Sequence, residues 1–212
     1  MKTLTKEMQQ AISPKMALDL LEQGNQRFIN NLKVNRNLLQ QANETSDGQH
    51  PFAVVLSCID SRTSVEIIFD QGLGDVFSVR IAGNIVNEDI LGSMEFGCKV
   101  AGSKIIVVLG HSKCGAVKGA CDHVEMGHLT TLLKKIEPAV NDEKTETLRN
   151  SSNDSFVAKV TEINVKRAVQ EVLDRSPILN EMVKKGEIGI IGANHNIETG
   201  EVTFLNDTLK GI

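Results

Sequence analysis

Apolar positions along the chain fall into two kinds of pattern. PFAVVLS (51–57) and SKIIVVLGH (103–111) hold runs of consecutive apolar, largely β-branched residues, which predict strands buried on both faces. DVFSVRIAG (75–83) reads as a further strand closed by Gly83-Asn84, and EIGIIGANHNIETGEVTFL (187–205) as strand, Thr-Gly turn, strand. Between them the period lengthens. PKMALDLLEQGNQRFINNL (14–32) carries Met16, Leu20, Leu21 and Phe28 at roughly helical spacing, with Gly24 predicting a break or two shorter helices. SVEIIFDQG (64–72) predicts a short helix stopped near Gly72. EDILGSMEFGCKVA (88–101) places Ile90, Leu91, Met94 and Cys98 on one helical face. AVKGACDHV (116–124) begins another helix, and VAKVTEINVKRAVQEVL (157–173) is helical again. The polar, Asn/Gln-rich 35–50 predicts a loop, and AVNDEKTETLRNSSNDS (139–155) a surface excursion. Strands alternating with helices predict an α/β fold, a mostly parallel sheet flanked by helices.

Composition narrows the function classes. With 212 residues the chain suits one α/β domain. A net charge of −4 gives no basic field for phosphates, and with neither Trp nor Tyr any base-stacking platform would depend on seven Phe. No nucleic-acid partner is therefore expected. No run approaches 18 apolar residues, so no membrane span is expected. MKTLTKEMQQAISPK has no apolar signal core, and the expected location is cytoplasmic. Four cysteines in that setting point to metal, catalysis or burial rather than disulfides.

The candidate chemistry sits where two apolar runs end. VVLSCIDSR places Cys58, Asp60 and Arg62 at alternate positions, on one face if the extended conformation continues past Ser57. GHSKCGAV supplies His111 and Cys114 after the 103–111 strand. In an open parallel sheet, sites form outside the carboxyl ends of strands where the strand order reverses. Two thiols and an imidazole suit tetrahedral Zn²⁺. Cys98 and Cys121 lie in helix-like stretches without ligand spacing and read as small buried hydrophobes. Rival motifs are incomplete: Gly110–Gly115 lacks the Lys-Ser/Thr of a phosphate loop, and there is no C-x-x-C.

C-x-D-x-R followed by H-x-x-C resembles the β-class carbonic anhydrases. LLEQGNQRF, PFAVVLSCIDSR, IFDQGLGDVFSVRIAGN, IIVVLGHSKCGAVKGA, SPIL and IETGEVTFL extend the resemblance over nearly the whole chain. It implies one domain over residues 1–212 with an N-terminal helical arm (1–35). Zinc would be held by Cys58, His111 and Cys114, with water or Asp60 as fourth ligand and Arg62 pairing with Asp60 when the carboxylate is off the metal. It further implies a homo-oligomer, a dimer or a tetramer, whose cleft draws on both chains, with Gln49 as a substrate-binding amide and Phe77 as an apolar wall. The implied reaction is reversible hydration of CO₂ to bicarbonate by zinc-activated water, with Asp60 gated between zinc and Arg62. The chain departs from the family in having Thr63-Ser64 where Val-Pro is usual, and Asn194-His195-Asn196 where x-Tyr-Asp is common. His195 reads either as a proton shuttle in place of that Tyr or as a packing residue. Two alternatives stay open: hydrolysis of CS₂ or COS on the same fold, and a closed structural zinc site in a non-catalytic protein.

Overall fold

The computed structural model describes residues 3–212. Two helices open it, α1 (Lys6–Ala11) and α2 (Pro14–Ile29); the first two positions of the expected arm lie outside the described residues. Ser13 starts α2 by accepting the Met16 amide, and Pro14 occupies its first turn. Contrary to the expected break, α2 runs straight through Gly24. A Cβ at that position would lie 1.8 Å from the Phe69 carbonyl oxygen, so the glycine serves close packing rather than a bend.

The expected loop at 35–50 contains a helix, α3 (Leu38–Glu44). It forms without an apolar stripe: the Asn37 side chain accepts the Gln40 amide, and buried Gln41 accepts the Leu73 amide. The remaining helices are α4 (Val65–Ile68), α5 (Glu88–Glu95, continued by a π turn over Phe96–Val100), α6 (Gly115–Cys121), α7 (Gly127–Leu133), α8 (Glu137–Asp142), α9 (Asp154–Arg175) and α10 (Pro177–Lys184). The 139–155 excursion starts inside α8. It is tied down by Glu143, which is buried and paired with Arg149.

Strands β1 (Ala53–Ser57), β2 (Val76–Arg80), β3 (Ile105–His111), β4 (Gly189–His195) and β5 (Val202–Lys210) form one sheet in the order β2-β1-β3-β4-β5. All neighbours are parallel except β4 and β5. One face, with Val54, Leu56, Val108 and Ile190, packs against α5, α9 and α10. The other, with Val55, Val107, Leu109 and Ile191, packs against α2 and α4. Side chains such as Leu56 and Ile190 have no exposure, and each contributes roughly 2 kcal/mol of apolar burial. A third cluster, from α6, α7, α8 and the start of α9, closes over the carboxyl end of the sheet and takes in Cys58 and Cys114. The chain leaves β1 for β2 on one side and resumes at β3 on the other. The carboxyl ends of β1 and β3 therefore flank the switch point where α/β sheets place their ligands.

Candidate metal centre

β1 stops at Ser57, and the extended run does not reach Arg62 as the alternating spacing predicts. Cys58 turns inward and is buried, Ile59 is exposed, and a turn follows in which the Thr63 amide donates to the Asp60 carbonyl at 2.9 Å. The cause is local. Asp60 Oδ1 accepts the Arg62 amide at 2.9 Å and Arg62 Nε at 3.0 Å, while Oδ2 accepts Nη2 at 2.8 Å. A carboxylate that can cap its own turn outcompetes continuation of the strand.

His111 closes β3 and is fully buried. Its Nδ1 lies 2.9 Å from the Ser112 carbonyl oxygen, a contact that places the ring proton on Nδ1 and leaves the lone pair on Nε2. That Nε2 is buried without a hydrogen-bond partner. Cys114 stands just before α6, and its Sγ lies 3.9 Å from that of Cys58. The two sulfurs and an imidazole nitrogen lie within 4.8 Å of one another. Asp60 Oδ2 is 4.0 Å from His111 Nε2.

This donor set fits a tetrahedral metal ion. A disulfide would need about 2.05 Å between sulfurs, whereas two sulfurs about 2.3 Å from a tetrahedral ion stand about 3.8 Å apart. Electrostatics agree. The contact with Cys114 pulls the Cys58 thiol well below its ordinary range, helped by His111 and by the Gly83 amide. Cys114 is pushed up, by Cys58 first and then by burial. One proton leaves the pair readily, and the second leaves only against a cation. The Arg62 guanidinium holds the Asp60 carboxyl well below the usual carboxylate range.

His195 ends β4 in register with His111 and is almost wholly buried, its Nδ1 without a partner. Burial, and then His111, push it down to about 4. Gln49 and Phe77 are not brought to this cluster within one chain. Gln49 is exposed in the segment before β1, and Phe77 is the second residue of β2, paired with Val54. The length of β1, roughly 16 Å for five residues, separates Gln49 from Cys58. Two further residues make polar contacts outside the sequence motifs. Asn164 Nδ2 donates to the Gly83 carbonyl, steadying the loop that presents the Gly83 amide to Cys58, and Arg80 donates to the carbonyls of Cys58 and Asp60. Only the position of Arg80 at the end of a strand hinted at such a part.

Comparison with known proteins points the same way. The profile of the family described as "Carbonic anhydrase" matches residues 53–202. Among curated proteins, "Carbonic anhydrase 2" of Mycobacterium tuberculosis is 32% identical over 91% of this chain and 93% of its own. The "Carbonic anhydrase" of Mycolicibacterium smegmatis is 33% identical over 90% and 92%. Among solved structures, a tetrameric β-carbonic anhydrase from Sordaria macrospora superposes with a TM-score of 0.69 at 25% identity, covering 77% of this chain and 84% of that one. The Coccomyxa β-carbonic anhydrase in complex with acetazolamide gives 0.68 at 27%, covering 77% and 75%.

Proposed function

The chain belongs to the carbonic anhydrase family, in its β class, and from that premise we propose that it hydrates CO₂ reversibly at a zinc ion held by Cys58, His111 and Cys114. The observation that carries the reading is the meeting of two sulfurs 3.9 Å apart with an unpartnered imidazole nitrogen at the ends of adjacent strands. Zinc bound there would supply a Lewis acid that lowers the pKa of a water and delivers a nucleophile near neutral pH. With two thiolates among the ligands that pull is weaker than in an all-histidine site, so activity is expected to favour alkaline pH.

The remaining chemistry belongs to the chain's own groups. Asp60, kept ionised by Arg62 and 4.0 Å from His111 Nε2, offers an acceptor for the nucleophile's proton and so orients a lone pair towards the substrate. Released by Arg62, the same carboxylate would be a further group able to hold the metal, as the alternative to water. A permanently closed structural site finds no support here, because Asp60 is engaged by Arg62 through both oxygens. Gln49 and Phe77 fit a substrate pocket completed by a second copy of the chain. Supporting such an assembly, Ile59 and Ile67 are each 62% exposed, and Phe96 is exposed beside Phe77. No helix among the described residues is long and apolar enough to cross a membrane.

Metal analysis combined with stopped-flow CO₂ hydration across pH tests the proposal. One zinc per chain with activity rising towards alkaline pH is expected, and a metal-free chain with full activity would refute it.

A further inference from the structure

Arg80 closes β2 and is paired in register with Ser57, the last residue of β1. Its side chain crosses to the turn that follows β1. Nε donates to the Cys58 carbonyl at 3.0 Å and Nη2 to the Asp60 carbonyl at 2.7 Å. One of these carbonyls belongs to a proposed sulfur ligand and the other to the gating carboxylate. Of the other bonds described for the turn, the Gly83 amide reaches only the Cys58 sulfur from outside it, at 3.4 Å, and those at Asp60 are internal: Thr63 to the Asp60 carbonyl, and the Arg62 amide and guanidinium to the Asp60 side chain. Internal bonds travel with the turn and cannot set its distance from His111 on β3. Arg80 can, although its side chain reaches solvent. Its backbone is fixed in the ladder with β1, and a guanidinium presents its donors as a rigid fork.

We propose that Arg80 is a positioning residue: gripping the carbonyls of Cys58 and Asp60 from the neighbouring strand, it holds the Asp60 carboxylate off the proposed metal and keeps the fourth ligand position for water. The inference rests on the zinc reading above. The margin it guards is narrow. Asp60 Oδ2 stands 4.0 Å from His111 Nε2, so a displacement on the order of 1–2 Å would bring a carboxylate oxygen within bonding range of an ion held by that nitrogen. Arg62 orients the carboxylate within the turn, and Arg80 places the turn within the sheet.

The test compares Arg80→Ala, Arg80→Gln and Arg80→Lys by two readings. In metal-free protein, the Arg62 and Thr63 amides should exchange about tenfold faster in Arg80→Ala than in the native chain, with Arg80→Lys restoring most of the protection. In cobalt(II)-substituted protein, Arg80→Ala should shift the visible absorption as a carboxylate replaces water. The same substitution in an Asp60→Asn background should leave the spectrum where Asp60→Asn alone puts it. A folded Arg80→Ala protein with native exchange and a native spectrum overturns the inference. So does a shift of equal size in the Asp60→Asn background, since Arg80 would then act on the sulfur. If Arg80→Ala does not fold, Arg80→Gln carries both readings with the same expected outcomes. A native chain that takes up no cobalt removes the metal reading, and with it the gating half of the inference, while amide exchange still decides the clamp.

Discussion

Two pairs of cysteines occupy this molecule, and all four side chains are buried to nearly the same degree. Cys98, in the π turn after α5, and Cys121, at the end of α6, are surrounded by apolar packing, and burial pushes their thiols up to about 12 and about 11. Cys58 and Cys114, at the strand ends, face each other and an imidazole, and the contact with Cys114 pulls the Cys58 thiol well down. Burial is the common factor, so burial does not confer the chemistry. What separates the pairs is company: the strand-end crevice collects donors from different segments, while at each helical cysteine burial among apolar side chains is the leading influence.

The largest expected effect breaks that contrast directly. Cys58→Ala or Cys114→Ala should abolish stoichiometric zinc binding and lower kcat/KM for CO₂ hydration by roughly a thousandfold or more. Cys98→Ala and Cys121→Ala should keep metal and activity, losing only about 1–2 kcal/mol of stability from the small void. Metal content and denaturant unfolding of the four variants check this. A Cys58→Ala protein that retained one zinc per chain would remove Cys58 from the ligand set.

Next in size is the loss of Arg62. Without its guanidinium, Asp60 keeps its 4.0 Å proximity to His111 but loses the partner that holds it away. Arg62→Ala should retain zinc and fall about a hundredfold in kcat/KM at neutral pH. Native turnover in that variant would dismiss the gate while sparing the ligand set.

The contrast between the cysteines was legible in the sequence because both members of the reactive pair follow strands, and those strands, AVVLS and IIVVLGH, announce themselves by unbroken apolar runs. What failed to show was governed by contacts that spacing does not encode. Gly24 looks like a helix breaker until the Phe69 carbonyl is seen against it. α3 has Gln41 as its buried residue, and its two leucines point to solvent, so no apolar period marks it. Alternation predicted that Cys58, Asp60 and Arg62 would share an extended face, but the Asp60 carboxylate captures the Arg62 amide and folds the turn back. Arg80 contributes through its reach to two carbonyls, and no residue pattern signals that.

The two imidazoles at the ends of β3 and β4 repeat the lesson and yield a smaller, pH-dependent effect. His111 and His195 are register neighbours and both buried, but only His111 meets the sulfurs. His195 is pushed from its ordinary 6.5 to about 4, by burial first. Between those values the unfolded chain binds a proton that the folded chain refuses, so stability should fall as pH drops from 6.5 to 4. The loss is at most about 3 kcal/mol, reduced by whatever solvent reaches the ring. Asp60, whose value is depressed by Arg62, loses its contribution only as pH falls below the ordinary carboxylate range, so the two windows separate. His195→Gln should flatten the denaturant midpoint between pH 4 and 6.5 and leave the lower limb intact. An unchanged slope would mean that His195 protonates in place.

The smallest effect isolates the last ingredient, the unpartnered polar atom. His111 Nε2 and Thr63 Oγ1 are both buried without a hydrogen-bond partner. At His111 the orphaned atom faces two sulfurs, and a cation would satisfy it. At Thr63, completely buried behind the Asp60 turn, the hydroxyl lies outside the donor cluster and carries only the cost of desolvation. Thr63→Val should therefore stabilise the chain by about 1 kcal/mol, with the zinc content unchanged. His111→Phe, which also removes an orphaned atom, should instead cost the metal. If Thr63→Val destabilises the chain in urea, the hydroxyl has a partner in solution and the comparison with His111 fails. If it stabilises, a buried unpaired atom is a cost in one place and a ligand in the other, according to the donors beside it.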